Sequence, residues 1–237
     1  MELFRNSSLP IINAPKKNLN DVKLQYIYYL LLIACFVYSL YYLRDKVVRV
    51  LAILLFLSIA TEVCAEIDIH KKINYYIFYH YYTIPEYALE TVILTWCVRL
   101  RWLKTTMLFS IPVFALICVA IMLYVENVQK LPSVSGGIEG TLIIIWCLRA
   151  LYDLDVSDKS AIFQQASFWY ILAFYTYFVI VTPFNCVFNI LQEDRIYQPL
   201  STKSFGIINS MANYLLYILC MIGFSCLKQT KSIQQLF

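Results

Sequence analysis

The sequence predicts an all-α polytopic membrane protein, a bundle of seven transmembrane helices, and three observations carry that prediction. Of the 237 residues, 61% are hydrophobic and only 14% are charged, whereas a soluble domain needs about 25% charged residues to cover its surface. The charges are clustered, and the apolar runs between clusters reach about 18 residues or more, enough to cross a hydrocarbon core about 30 Å thick. The chain holds only five glycines and seven prolines, which suits continuous helices better than the short alternating strands of a membrane barrel.

Residues 1–23 read as a polar N-terminal arm carrying Pro10, Pro15, Lys16 and Lys17. It lacks the apolar core and small-residue cleavage site of a secretory signal, so the first span is expected to serve as an uncleaved insertion signal. That span runs from about Leu24 to Leu43 and ends at a tight turn, Arg44-Asp45-Lys46. The second covers about Val47 to Ala65, followed by a charged connector from Glu66 to Lys72. The third, about Ile73 to Val98, has Pro85 near its middle, and the fourth, about Thr105 to Val125, has Pro112 in its first half. A polar loop from Glu126 to Gly137 contains Pro132 and the Gly136-Gly137 pair. The fifth span is about Ile138 to Tyr152, and an acidic loop follows from Asp153 to Ser160. The sixth, about Phe163 to Leu191, carries Pro183, a residue that kinks a helix. Pro199 breaks the next loop, and the seventh span runs from about Phe205 to Leu227. The seven-helix domain is therefore residues 24–227, and 228–237 a short tail.

Lysine and arginine in short loops set orientation. The first, third and fifth loops and the tail hold Arg44, Lys46, Arg49, Arg99, Arg101, Lys104, Lys159, Lys228 and Lys231, more than the second, fourth and sixth. That predicts the N-terminus out and the C-terminus in, although Arg5, Lys16, Lys17 and Lys23 in the arm pull the other way. Each of the eight cysteines (Cys35, Cys64, Cys97, Cys118, Cys147, Cys186, Cys220 and Cys226) falls in or at the end of an apolar run, with no C-x-x-C pair. They are expected to be buried and free, packing as small hydrophobes.

Ionisable groups inside hydrocarbon are costly, so their placement is the informative part of such a sequence. Tyr76, Tyr79, Thr83, Glu86 and Glu90 follow one another by three, four, three and four residues. That spacing lines them along one face of the third helix. His80 sits beside that face, and Glu86 falls near mid-span, where a carboxyl needs a partner or a proton. The second span ends with Glu62 and Glu66, the fifth begins with Glu139, the sixth ends with Asn185 and Asn189, and the seventh opens with Asn209 and Asn213. Counted at about 1.5 Å per residue, all of these lie toward the side of the second, fourth and sixth loops. One polar pocket open to that side, with Glu86 at its floor, accounts for them. Water at the span ends accounts equally for Glu62, Glu66 and Glu139, and interhelical hydrogen bonds for the asparagines. Arg149 lies nearer the opposite side and is expected to snorkel.

No H-E-x-x-H or G-x-S-x-G motif and no intramembrane aspartate pair is present, so no zinc protease, hydrolase or aspartyl chemistry is indicated. The seventh span has no lysine for a retinal Schiff base, and two histidines, His70 and His80, are too few for a di-haem core. No cofactor or metal is expected. The basic residues are not gathered into a nucleic-acid face.

The stretch Asn74-Tyr75-Tyr76-Ile77-Phe78-Tyr79-His80-Tyr81-Tyr82-Thr83-Ile84-Pro85-Glu86-Tyr87 resembles the third-helix signature of small seven-helix membrane proteins of Bacteroidota. There an asparagine precedes an aromatic-histidine segment and an acidic-aromatic pair. Glu62 or Glu66 resembles the acid ending their second helix, Ser135 to Glu139 the start of their fifth, and Phe168-Trp169 a pair opening their sixth. Asn189 and Asn209 resemble their later asparagines. Pro85 departs from the pattern, standing where a bulky apolar residue is usual. Some of these proteins look like the membrane sensor halves of histidine kinases, so the resemblance implies a receptor-like role in a bacterial inner membrane. The leading expectation is thus a membrane sensor that binds a small ligand in the polar pocket and signals to a separate protein, no signalling domain being attached. A small proton-coupled carrier using Glu86 and Glu90 is the alternative. An intramembrane enzyme using Glu86, Glu90 and His80 is the third.

Overall fold

The computed structural model describes residues 19–71, 76–126, 131–154, 162–193 and 198–234, with side chains described over 26–67, 76–126, 131–154, 162–188 and 204–227. The described residues form seven helices: α1 (Leu19–Leu40), α2 (Lys46–Lys71), α3 (Tyr76–Cys97), α4 (Arg101–Tyr124), α5 (Ser133–Asp153), α6 (Ala166–Glu193) and α7 (Gln198–Gln234). Five are long and apolar enough to cross a membrane: α2 over Lys46–Ile67, α4, α5, α6 over Ala166–Phe188 and α7 over Ser204–Leu227. The apolar stretch of α1, Tyr26–Leu40, is shorter. α3 has 22 residues, but its tyrosines, His80 and two glutamates lower its apolarity. The outward face of α4 is bare of protein, with Phe109, Leu116 and Leu123 each about 70% exposed, as suits a helix facing lipid rather than water.

Several boundaries differ from the sequence expectation. α2 continues through the charged connector to Lys71, because Glu66, Asp68 and Lys71 are no barrier to a helix once the turns before them are packed. α5 starts at Ser133, four residues before the end of the expected loop, and takes Gly136 and Gly137 into the helix. The low helix propensity of glycine is offset there by close packing on α6, discussed below. α7 begins at Gln198, since Pro199 falls in the first turn, where a missing N–H costs nothing. It also runs on to Gln234, so the expected tail is largely helical. Pro85, Pro112 and Pro183 all lie inside helices.

The connections are held by side chains that stand in for missing backbone partners. Asp45 Oδ1 accepts from Val47 N at 2.9 Å and Val48 N at 3.2 Å, capping α2 right after the turn. Arg49 Nε donates to Leu43 O across the same turn at 3.2 Å. Asp153, at the end of α5, accepts from the backbone N–H groups of Arg99 and Leu100 in the α3–α4 link. The buried Glu126 caps α5 from a distance, accepting from Val134 N at 2.6 Å and Ser135 Oγ at 3.2 Å. A carboxylate is well placed there against the positive end of the helix dipole.

Packing follows the order α1–α2–α3–α5–α6–α7 and back to α1, a closed ring of six helices. α4 stands outside it, against α3 and α5. A chain of hydrogen bonds crosses the seam between α4 and the ring. Trp146 Nε1 donates to Tyr87 OH at 3.1 Å, Tyr87 pairs with Ser110 Oγ at 2.6 Å, and Ser110 donates to Met107 O at 2.6 Å. Tyr87 also packs on Phe114, ring centroids 4.2 Å apart. Arg149, exposed on α5, lies over the rings of Trp102 and Tyr152 at 5.7 and 5.8 Å. All eight cysteines are free thiols. Six are buried as expected, but Cys64 is half-buried and Cys186, at the edge of the α5–α6 contact beside Gly137, is exposed.

Candidate ligand cavity

The ring of six helices encloses a cavity of about 360 Å³, within the usual size range of small-molecule sites, about 300–1,000 Å³. It reaches from Tyr76, Pro132 and Phe205, at helix ends beside the second, fourth and sixth connections, down to Leu51, Phe174 and Cys220. Helix α3 supplies its spine. Tyr76, Tyr79, Thr83, Glu86 and Glu90 all lie on the wall. The 14 residues from Tyr76 to Glu90 correspond to about 21 Å of depth. Opposite them stand Glu62 of α2, Glu139 of α5, Asn185 of α6, and Asn209 and Asn213 of α7. Ten of the thirteen candidate residues therefore share one cavity.

The other three do not join it. His80 is buried but off the wall; one residue beyond Tyr79, it is turned about 100° around the helix. That leaves the trio Glu86, Glu90 and His80 incomplete as a catalytic group. Glu66 is half-buried and one turn beyond Glu62 toward the helix end, outside the wall. The Asn189 side chain lies outside the described residues. A further correction concerns the floor. Glu86 is half-buried, while Glu90, one turn deeper, is only 2% exposed, and Glu139 is 4% exposed. Water at a span end does not account for Glu139.

Beyond the polar candidates named above, the wall also holds further hydroxyl groups. Tyr28 of α1 donates to Glu62 Oε1 at 3.2 Å and meets Tyr217 of α7, ring centroids 6.0 Å apart. Ser58 of α2 and Tyr82 of α3 pair at 2.5 Å, and Tyr82 reaches the Glu86 carboxyl. Ser58 Oγ also lies within donating distance of Leu54 O, 3.0 Å away and one turn back on α2. Tyr177 of α6 completes the aromatic lining. The signal for two of these was in the spacing: stepping four back from Glu62 gives Ser58, and four on from Asn213 gives Tyr217, each on the same helix face.

Some polar groups are already engaged. Thr83 Oγ1 donates to Tyr79 O at 2.8 Å, and Asn213 Nδ2 donates to Asn209 O at 2.9 Å. Ser133 Oγ donates to Asn185 O at 2.5 Å. In contrast, Glu90 Oε2, Glu139 Oε1 and Thr182 Oγ1 are buried without a hydrogen-bond partner within the protein. Among the described residues, four carboxyls lie on the wall and no lysine, arginine or histidine does. Among the described residues, no three His, Cys, Asp or Glu side chains gather as a metal site would require.

No family model matches the chain, and neither a curated protein nor a solved structure matches it.

Proposed function

We propose that all seven helices cross a membrane and that the protein is a receptor-like module. It binds a small ligand in the acidic cavity and passes a change of helix arrangement to a separate protein. The observation that carries this is the origin of the wall: side chains from six helices meet around one cavity. A ligand there touches every helix of the ring, so its binding can favour one arrangement of the ring over another, which is what signalling requires. The polarity of α3 supports its spanning the membrane, because its acidic stripe is turned to the cavity and away from lipid. α1, with 22 residues, is about 33 Å long, enough to cross. The chain ends then lie on opposite sides, the N-terminus outside and the C-terminus inside a bacterial inner membrane. Reporter fusions at Met1 and Phe237 are expected to report opposite sides; the same side for both removes the seven-span topology.

The ligand-binding reading is tested by melting the purified protein in detergent with a panel of organic amines, carboxylates, sugars and uncharged alcohols. A ligand at a hundred times its Kd is expected to raise the melting temperature by about 5 °C or more. Glu86→Gln keeps the shape of the side chain and removes its charge, so it is expected to abolish that shift while leaving the unliganded melting temperature nearly unchanged. A shift of the same size in Glu86→Gln sinks the assignment of Glu86 to the site. The second reading, a carrier, is favoured by the unpartnered carboxyls of Glu90 and Glu139, which suit a group that takes up and releases a proton. Uptake of the stabilising compound into liposomes, lost in Glu86→Gln, supports the carrier; binding without uptake supports the receptor.

A further inference from the structure

Resting on the ligand-binding reading above, we propose that the cavity takes a small organic cation, an amine or alkylammonium group carried on a compact apolar body. The first ground is charge. Glu62, Glu86, Glu90 and Glu139 share the wall with no cationic side chain among the described residues that line it. Glu86, Glu90 and Glu139 also lie close enough for their charges to act on one another. Among the described residues, such a wall offers an anion no cationic partner.

The second ground is the state of two of those carboxyls. Glu90 and Glu139 are more than nine-tenths buried, and Glu90 Oε2 and Glu139 Oε1 have no hydrogen-bond partner within the protein. They face the cavity, unlike Thr91 Oγ1 and Tyr170 OH, which are also buried without a partner but belong to residues off the wall. What the two oxygens lack is an N–H donor or a positive charge; a protonated amine supplies both, and a quaternary ammonium supplies the charge. The third ground is the aromatic lining. Tyr28, Tyr82, Tyr177 and Tyr217 stand around the carboxyls, and the faces of such rings attract a desolvated cation.

Size separates an organic cation from a bare ion. The 360 Å³ of the cavity is roughly ten times the 30 Å³ share of one water molecule, far more than a metal ion fills. Leu51, Leu54, Leu55 and Phe174 line its deeper part and offer an apolar bed for alkyl groups.

The test is isothermal titration of the wild-type protein in detergent with choline and with its uncharged isostere 3,3-dimethyl-1-butanol, alongside butylammonium, butyrate and sodium chloride. The two ammonium compounds are expected to bind and the alcohol, butyrate and sodium ion are not. Glu90→Gln and Glu139→Gln are each expected to weaken ammonium binding by about tenfold or more. Equal binding of the alcohol and choline shows that charge is not recognised, and binding of butyrate or sodium in place of the ammonium compounds also overturns the proposal. If the alcohol or butyrate binds and Glu86→Gln abolishes it, the cavity remains a ligand site and only the cation assignment falls. If neither these probes nor the wider panel binds, both readings fall.

Discussion

Replacing Gly140 with alanine is expected to lower the stability of the protein by about 2 kcal/mol, or about 5 °C in melting temperature, and replacing it with valine to prevent folding. A Cβ at this position would sit 2.0 Å from Thr182 Oγ1, 3.0 Å from Phe178 Cδ1 and 3.1 Å from Thr182 Cβ. Thr182 is β-branched and buried, so rotating its hydroxyl away brings its methyl group into the same space. Helices α5 and α6 must then part. One turn away a Cβ on Gly136 would lie 3.1 Å from Asn185 Nδ2, and one on Gly137 would lie 2.8 Å from Cys186 Sγ, so the whole seam is set by glycine. Small residues four apart let helices approach in this way when lipid removes the hydrophobic drive for association. Gly206 is the control. It lies on α7 at the cavity wall, and nothing stands within 4 Å of its Cβ position. Gly206→Ala is expected to leave stability unchanged or raise it by up to about 1 kcal/mol. Adding Thr182→Gly to Gly140→Ala is expected to recover part of the loss. A Gly140→Ala protein that melts with the wild type in detergent contradicts the close approach of α5 and α6.

The same seam shows where sequence reading succeeds and where it stops. The α3 stripe was legible because five polar side chains in an apolar run keep helical spacing, and hydrocarbon leaves them only the bundle interior. The depths of Glu139, Asn185 and Asn209 followed from counting along their spans. The start of α5 did not follow, because Gly136-Gly137 after Pro132 has the local chemistry of a turn, and only contact with α6 makes it helical. The ring was also beyond reach: nothing in the apolar pattern of α4 tells it apart from the helices that enclose the cavity. Glu90 was placed on the right face but not at the bottom, since the depth at which Phe174 and Cys220 close the ring is a tertiary fact. His80 shows the opposite error. Proximity in sequence to the stripe suggested a role, but one residue of helical rotation takes it off the wall.

Glu90→Met is expected to stabilise the protein by about 1–3 kcal/mol, roughly 5 °C in melting temperature, while abolishing ligand binding. A buried carboxyl with an unpartnered oxygen is a cost to the folded state, and methionine fills a similar volume without that cost. Glu139→Met is expected to behave in the same direction, its Oε1 being equally without a partner. The gain should be less than additive in the double variant, because the two charges already act on one another and removing one relieves the other. This separates a binding site from a structural hydrogen-bond network. Were Glu90 part of the scaffold, as Tyr87 is through Trp146 and Ser110, its removal would leave partners unsatisfied and destabilise the bundle. Circular-dichroism melting of Glu90→Met against the wild type in the same detergent decides between them. A loss of stability on removing Glu90 means that its carboxyl is held by the protein itself, and the cavity then reads as an interior joined by scattered interhelical hydrogen bonds.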